Sequence, residues 1–134
     1  MKSRAGRVLA SALALSASIA VVTAGSAFAD EPPGGIVWDH TYTAPGVKVY
    51  VEEHGDIISV CDTAENGHAA WVLVTDRVGV QFRVTSYNGV GSCAESRAND
   101  GLGHDLYEGD RIDLHLDGDG DGAGAAYKAF VNDH

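Results

Sequence analysis

Three aspartates that alternate with glycines are the most chemically suggestive feature of this sequence. In the run "LDGDGDGA", Asp117, Asp119 and Asp121 occupy the first, third and fifth positions of a D-x-D-x-D-G pattern. Carboxylates at this spacing on a glycine-rich loop converge on one point, and Ca²⁺ takes about six to eight oxygen ligands. The twelfth position, where an EF-hand places a bidentate Glu, is Lys128, and the preceding residues alternate like a strand. We therefore expect at most a weak calcium site, with a Kd of roughly 10⁻⁴–10⁻³ M, and the alternative is a solvated hairpin loop.

Arg97 is a second candidate, because it lies in the polar segment 93–104 beside a cysteine. An arginine on an extended, rigid loop fits the S1 pocket of a trypsin-like protease, and a preorganised loop binds at a low entropic cost. This predicts a secreted serine-protease inhibitor as an alternative function. The other interpretation is an exposed arginine in a solvated loop.

Aromatic residues supply a third candidate. Trp38, Tyr50 and Tyr87 are expected to be exposed, where their rings would stack on sugars, although aromatics on strands also pack across sheets. Trp71 has apolar neighbours and is expected in the core. The partner predicted from these features is an extracellular protein or a saccharide.

No motif indicates a catalytic centre. The six histidines, at positions 40, 54, 68, 104, 115 and 134, show no H-x-x-x-H or H-E-x-x-H spacing, so no zinc site is predicted. His115 is expected on the solvated face of a strand. The serines that follow residue 29 lack a G-x-S-x-G elbow, and with 19 acidic residues a carboxylate pair carries no information. A small extracellular hydrolase is the weakest alternative, and no cofactor is expected to be required.

The N-terminus has the pattern of a secretory signal peptide. Lys2, Arg4 and Arg7 precede the apolar run 8–22, and an A-x-A pattern of small residues follows. The apolar run is shorter than the about 20 residues that span a bilayer. We expect residues 1–29 to be removed and the remaining chain to be secreted and extracellular, with no attachment to a membrane.

The charge that remains after this cleavage is strongly negative. Three of the nine Lys and Arg residues would leave with residues 1–29, so the net charge becomes 6 − 19 = −13. Such a field disfavours nucleic acids and anionic membranes, because binding phosphates requires Lys and Arg. It favours cationic partners and divalent metal ions.

Cys61 and Cys93 are the only cysteines. An even number in an exported chain predicts a disulfide, worth roughly 3.5–4 kcal/mol for a loop of this length. The alternative is two free thiols.

The segments that must position these candidates alternate with period two. The residues expected to face a core are Val47, Val49, Val51, Val80, Phe82, Val84, Ile112, Leu114 and Leu116. Less regular strands are expected over residues 36–42, 57–62, 69–75 and 125–131, with the run "WVLV" in a central strand. About seven strands separated by turns predict one all-β domain over residues 36–134, after a flexible leader at 30–35. We expect an antiparallel β-sandwich, loosely immunoglobulin-like, with a small β-barrel as the alternative.

Three segments, "EHGDIISVCDTAENGHAAWVLV", "GVGSCAES" and "LYEGDRIDLHL", carry a resemblance to a known group. From about residue 47 to 134 the chain resembles the small exported β proteins of actinobacteria, whose function is not established. The shared pattern is a strand ending V-C-D, a turn with G-H, an apolar strand, and a second cysteine after a glycine-rich hairpin. Relatives carry a second cysteine pair near the last hairpin, where this chain has "DGDGDGAGAA". The resemblance implies a secreted β domain and no particular activity, so we expect a non-catalytic binding or structural module.

Overall fold

The computed structural model describes residues 32–120 and 122–134, without the side chain of Val80. The predicted signal peptide at residues 1–29, the first part of the predicted leader and Asp121 lie outside the described residues. Within the described ranges, no helix has the length and apolarity needed to cross a membrane.

Within the residues that the structure describes, eight antiparallel strands form two four-stranded sheets. The strands are β1 (His40–Ala44), β2 (Val47–Glu52), β3 (Ile57–Asp62), β4 (Ala70–Asp76), β5 (Gly79–Ser86), β6 (Cys93–Ser96), β7 (Arg111–Asp117) and β8 (Ala126–Val131). The first sheet has the order β1-β2-β3-β6 and the second the order β5-β4-β7-β8. The predicted β-sandwich is confirmed, and because the sheets stay separate, the alternative of a small closed barrel is not adopted.

The core lies between the sheets and contains the alternating residues together with Ile58, Val60, Ala70, Val72, Val74 and Phe130. Apart from Val80, every residue that the period-two alternation predicted to face the core is buried, whereas Trp71, which was also expected in the core, is only half-buried. Strand β4 alternates buried and half-buried residues and lies between β5 and β7, which confirms the central position predicted for the run "WVLV". Leu106, in the long connection between β6 and β7, is buried with this cluster although no periodicity marks it.

The outer face of the first sheet is covered, which the sequence did not predict. Tyr50 points away from Val49 and Val51 as expected, yet only 2% of it is exposed. The indole of Trp38 packs on it with ring centroids 5.5 Å apart, and Lys48 lies over the same ring. Trp38 therefore covers this face at Tyr50, and residues 36–39 are not part of β1, which begins at His40 and not at residue 36.

Strand β6 is one more than the seven strands expected, and it lies at the start of the segment 93–104, which was expected to be a polar loop. It pairs with β3, so that Cys61 and Cys93 are direct cross-strand neighbours, and their sulfur atoms are bonded at 2.02 Å. The predicted disulfide is confirmed. The prediction of a loop over residues 93–104 is wrong for residues 93–96, because the bridge and the β3 ladder hold a short edge strand there.

The two ends of the sandwich differ in construction. One, which we call the loop end, carries the connections 63–69, 87–92 and 118–125. At the other, the tail end, β1 begins, β2 turns into β3, and residues 132–134 follow β8. At the loop end, the backbone at Gly46 lies so close to the backbone at Gly118 that a Cβ on Gly46, whose φ is +74°, would overlap it.

Candidate functional site

An open cleft of about 550 Å³ lies at the loop end, between the connections 63–69 and 87–92. Its polar and aromatic lining comes from Asp62, Glu65, His68, Tyr87 and Asn88. Tyr87 is 81% exposed and offers an aromatic face, while the other four side chains offer hydrogen-bond donors and acceptors. An exposed ring beside such groups is suited to a polyhydroxylated ligand, whose rings have apolar faces and polar edges.

Both walls of this cleft are fixed to the sandwich by the disulfide. Cys61 immediately precedes the wall that begins at Asp62, and Cys93 immediately follows the wall that contains Tyr87. The Asp62 carbonyl also accepts a hydrogen bond from the backbone N–H of Gly91 at 2.8 Å, and the Asp62 N–H donates to Ser92 at 2.9 Å. The cleft is therefore largely formed before a ligand binds.

The connection that carries Tyr87 has its own hydrogen bonds. The hydroxyl of Ser86 donates to the carbonyl of Ser92 at 3.0 Å, and the hydroxyl of Ser92 donates to the carbonyl of Gly89 at 2.6 Å. These contacts fold the connection between β5 of one sheet and β6 of the other, and they leave Tyr87, the first residue after β5, exposed. Of the three aromatics predicted to bind sugars, only Tyr87 lies in a cleft.

The other two are placed differently. Tyr50 is buried and Trp38 packs against it, so the prediction that Tyr50 is available to a ligand is wrong. Trp71, expected in the core, is half-buried on the outer face of the second sheet, with the guanidinium of Arg83 4.1 Å above its ring. The apolar run around Trp71 hid this, because both faces of β4 carry apolar side chains.

His115 belongs to the same outer face. Its ring meets Trp71 edge-on at 5.0 Å and stacks on Tyr127 at 4.3 Å with an interplanar angle of 11°. It faces outward, as expected, but it is half-buried between aromatic rings instead of being solvated. Tyr127 covers the face of His115 and the guanidinium of Arg83 covers the face of Trp71, which makes this row a poorer platform for a sugar ring than Tyr87.

The Asp-Gly loop adjoins the cleft. The side-chain amide of Asn66 donates to the carbonyl of Gly118 at 2.8 Å, and a Cβ on Gly120 would overlap the ring of His68. The carboxylate of Asp117 is 3% exposed and accepts the backbone N–H of Asp119 at 3.1 Å. Burial alone would raise the pKa of Asp117, but backbone hydrogen bonds from the following residues hold it below its usual value.

This geometry bears on the calcium prediction without testing it. Asp117 directs its carboxylate to its own loop, as an Asx-type turn does. Asp119 lies two residues further along, and Asp121 lies outside the described residues. The three-carboxylate calcium site stays a prediction.

Arg97 is placed at the end of β6, immediately before a short 3₁₀ turn at Ala98–Asp100. Its backbone is extended, with φ −137° and ψ 158°, and its N–H donates to the carboxylate of Asp100 at 2.8 Å. The guanidinium is 2.7 Å from a carboxylate oxygen of Glu95. An inhibitor would have to break this surface ion pair to insert Arg97 into a pocket.

Histidines and carboxylates also gather at the tail end, where sequence reasoning identified nothing. Two groups have donor atoms within 4.8 Å of one another: Asp39, His54 and His134, and Glu53, Asp133 and His134. The available signal was an acid–His dipeptide that occurs three times, at residues 39–40, 53–54 and 133–134. A search for short histidine spacings could not find it, because the three dipeptides are far apart along the chain.

Comparison with known proteins adds no further constraint. The chain matches no protein-family model, no curated protein and no solved structure. Inference about its function therefore depends on the residues and geometry described above.

Proposed function

We propose that this protein is a secreted, non-catalytic binding module that holds a saccharide in the cleft at the loop end. The observation that carries the proposal is the exposed ring of Tyr87 inside a cleft with polar walls. Secretion is supported by the signal-peptide pattern at residues 1–29 and is consistent with the disulfide.

The chemistry of the lining favours a neutral or cationic sugar over an anionic one. Glu65 brings an exposed carboxylate to the cleft, and the whole chain has a net charge of −10. Anionic ligands would be repelled by this field, whereas hydroxyl and amino groups would find acceptors. Among polysaccharides we therefore expect retention on neutral or amino-sugar polymers such as cellulose, xylan or chitin.

A pair of tyrosine variants tests the proposal. Tyr87→Ala removes the exposed ring from the cleft, and Tyr127→Ala removes an exposed ring from the outer face of the second sheet, which serves as the matched control. We expect wild-type protein to be retained on at least one insoluble polysaccharide, with about tenfold weaker binding for Y87A, a loss of about 1.4 kcal/mol. Y127A should bind within twofold of wild type.

Three results would contradict the proposal or one of its parts. If wild-type protein stays in the supernatant with every neutral and amino-sugar polymer, saccharide binding is refuted. If Y87A and Y127A lose equal affinity, the cleft is not the binding site. Release of soluble sugar from a polymer that the protein binds would contradict the non-catalytic part and favour the hydrolase alternative.

A further inference from the structure

The tail end brings together side chains that are remote in sequence but chemically matched. The three acid–His dipeptides lie at the start of β1, just after β2 and at residues 133–134. Antiparallel pairing of β1 with β2 places His40 opposite Val51, which brings the first dipeptide beside the second. The end of β8 supplies the third from the opposite sheet.

Nitrogen and oxygen donors converge at this place. One carboxylate oxygen of Asp39 and one ring nitrogen each of His54 and His134 lie within 4.8 Å of one another. The rings of His54 and His134 are stacked with centroids 3.8 Å apart. All three residues are exposed, so an ion from solution can reach them.

A buried glutamate holds the segments that carry these donors. Glu53 is 5% exposed, and its carboxylate accepts the backbone N–H of Asp133 at 3.0 Å and a hydrogen bond from the His40 ring. Its own N–H donates to the carboxylate of Asp39 at 2.8 Å. One residue thus links the three dipeptides.

The segment before His134 is anchored as well. Asn132 is fully buried, and its side-chain amide donates to the carboxylate of Asp56 at 3.2 Å and to the carbonyl of Leu106 at 3.3 Å. Its backbone N–H donates to Asp110 at 2.9 Å. The donors of His54 and His134 are therefore carried on a tethered backbone, and only side-chain rotations remain to be fixed.

We propose that Asp39, His54 and His134 bind one divalent transition-metal ion of the zinc type at the tail end. Two imidazoles with one carboxylate suit zinc, copper or nickel, whereas Ca²⁺ prefers oxygen ligands alone. Bonds of about 2.0–2.1 Å in a tetrahedral site place donors about 3.3–3.4 Å apart, so the exposed side chains must close by roughly 1.5 Å at most. Asp133, whose carboxylate oxygen is 3.6 Å from the Nε2 of His134, or a water molecule completes four ligands.

The negative charge around the site favours this occupant. The ion pairs that the structure gives to Glu53 and Asp133 are with histidines, at His40 and His134. A divalent cation would offset the charge of these carboxylates. This metal site lies at the opposite end from the saccharide cleft, so either proposal can fail without the other.

Zinc titration of the untagged full chain, expressed in a host that exports it and stripped with EDTA, tests the inference. We expect about one zinc per chain with a Kd near 10⁻⁶ M or below by calorimetry in a non-chelating buffer at neutral pH. His54→Ala and His134→Ala should each weaken binding at least tenfold, and the exposed His68→Ala, at the loop end, should leave it within twofold. In wild-type protein, zinc should shift the ring NMR signals of His54 and His134 and leave that of His68 in place.

The NMR measurement keeps the test decisive if a variant fails to fold, because it needs only the wild type. A wild-type Kd weaker than about 10⁻⁴ M would overturn the inference, as would an H68A loss equal to that of H54A. Displacement of zinc by an equal concentration of calcium would also overturn it, since an acidic patch of no particular metal preference would behave that way.

Discussion

The disulfide gives the most quantitative prediction. Replacement of both cysteines in a Cys61→Ala, Cys93→Ala double variant releases a crosslink between positions 32 apart in sequence. For a loop of this length the chain-entropy expression gives a free energy of about 3.7 kcal/mol at 25 °C. In a domain of about 100 residues, each kcal/mol shifts the melting temperature by about 4–8 °C, so we expect a fall of roughly 15–30 °C.

The structure indicates that most of this loss comes from the unfolded chain. The backbone hydrogen bonds that join the cleft walls, from Gly91 and Asp62, are independent of the sulfur atoms and should persist in the variant. The buried Cys61 side chain is small, so the cavity left by alanine adds little. Folded secondary structure should be unchanged while the free energy of unfolding drops.

Urea titration followed by far-ultraviolet circular dichroism measures the effect. Wild-type protein kept in excess dithiothreitol is the matched control, because it loses the bridge without losing the thiols, and it should coincide with the double variant within about 1 kcal/mol. A loss below about 1 kcal/mol in the double variant would refute the reasoning, since it would mean that the unfolded chain gains almost no freedom from the open loop.

Three further predictions concern charge and the remaining candidates. Burial, with a hydrogen bond to Asp105, raises the pKa of Asp56 from 3.8 to about 6. Between these values the folded state holds a proton that the unfolded state has lost. In EDTA, the free energy of unfolding of wild type should therefore fall relative to that of Asp56→Asn as pH rises from about 4 to 6, by at most ~1.4 kcal/mol per pH unit. Plots of unfolding free energy against pH that run parallel for the two proteins would contradict this. If the Asp-Gly loop binds calcium with a Kd of about 10⁻⁴ M, millimolar calcium adds ~1.4 kcal/mol to the free energy of unfolding. The melting temperature in calcium should then exceed that in EGTA by roughly 6–11 °C, and equal melting temperatures would refute the calcium site. A stoichiometric amount of protein should inhibit trypsin if Arg97 is an inhibitory residue, with Arg97→Ala relieving the inhibition, and full trypsin activity would remove that alternative.

The fold was predictable because burial on a strand follows a period of two. Ile112, Leu114 and Leu116 alternate with polar residues and lie in the core, as expected. The disulfide was predicted from the even number of cysteines in an exported chain, but it was not assigned to neighbouring strands, because Cys93 was expected in a loop. Strand β6 was missed because four residues with a polar composition leave too little pattern to distinguish a short edge strand from a loop.

The solvent exposure of a side chain was harder to predict than the face of the strand from which it points. Alternation correctly turned Tyr50 away from Val49, but it could not reveal that Trp38 packs over that face. For Trp71 the error was the reverse, since an apolar neighbourhood in sequence was taken for burial in space. Whether an outward residue is exposed depends on which distant segment packs over it, and a single strand carries no information about that.

The tail-end cluster shows what kind of pattern would have been informative. Motifs within one element, such as H-x-x-x-H on a helix or two ligands at i and i+2 on a strand, place both ligands on one face of that element, and no two of Asp39, His54 and His134 lie that close in sequence. A β-sandwich gathers ligands instead at strand ends, where antiparallel pairing returns the chain to the same place after each hairpin. The acid–His dipeptides follow that geometry, since the first lies at the start of β1, the second follows β2, and the third follows β8, all at one end. In an all-β chain, ligand-bearing dipeptides that recur at the strand ends on one side of the sandwich therefore predict that their side chains lie close together in space.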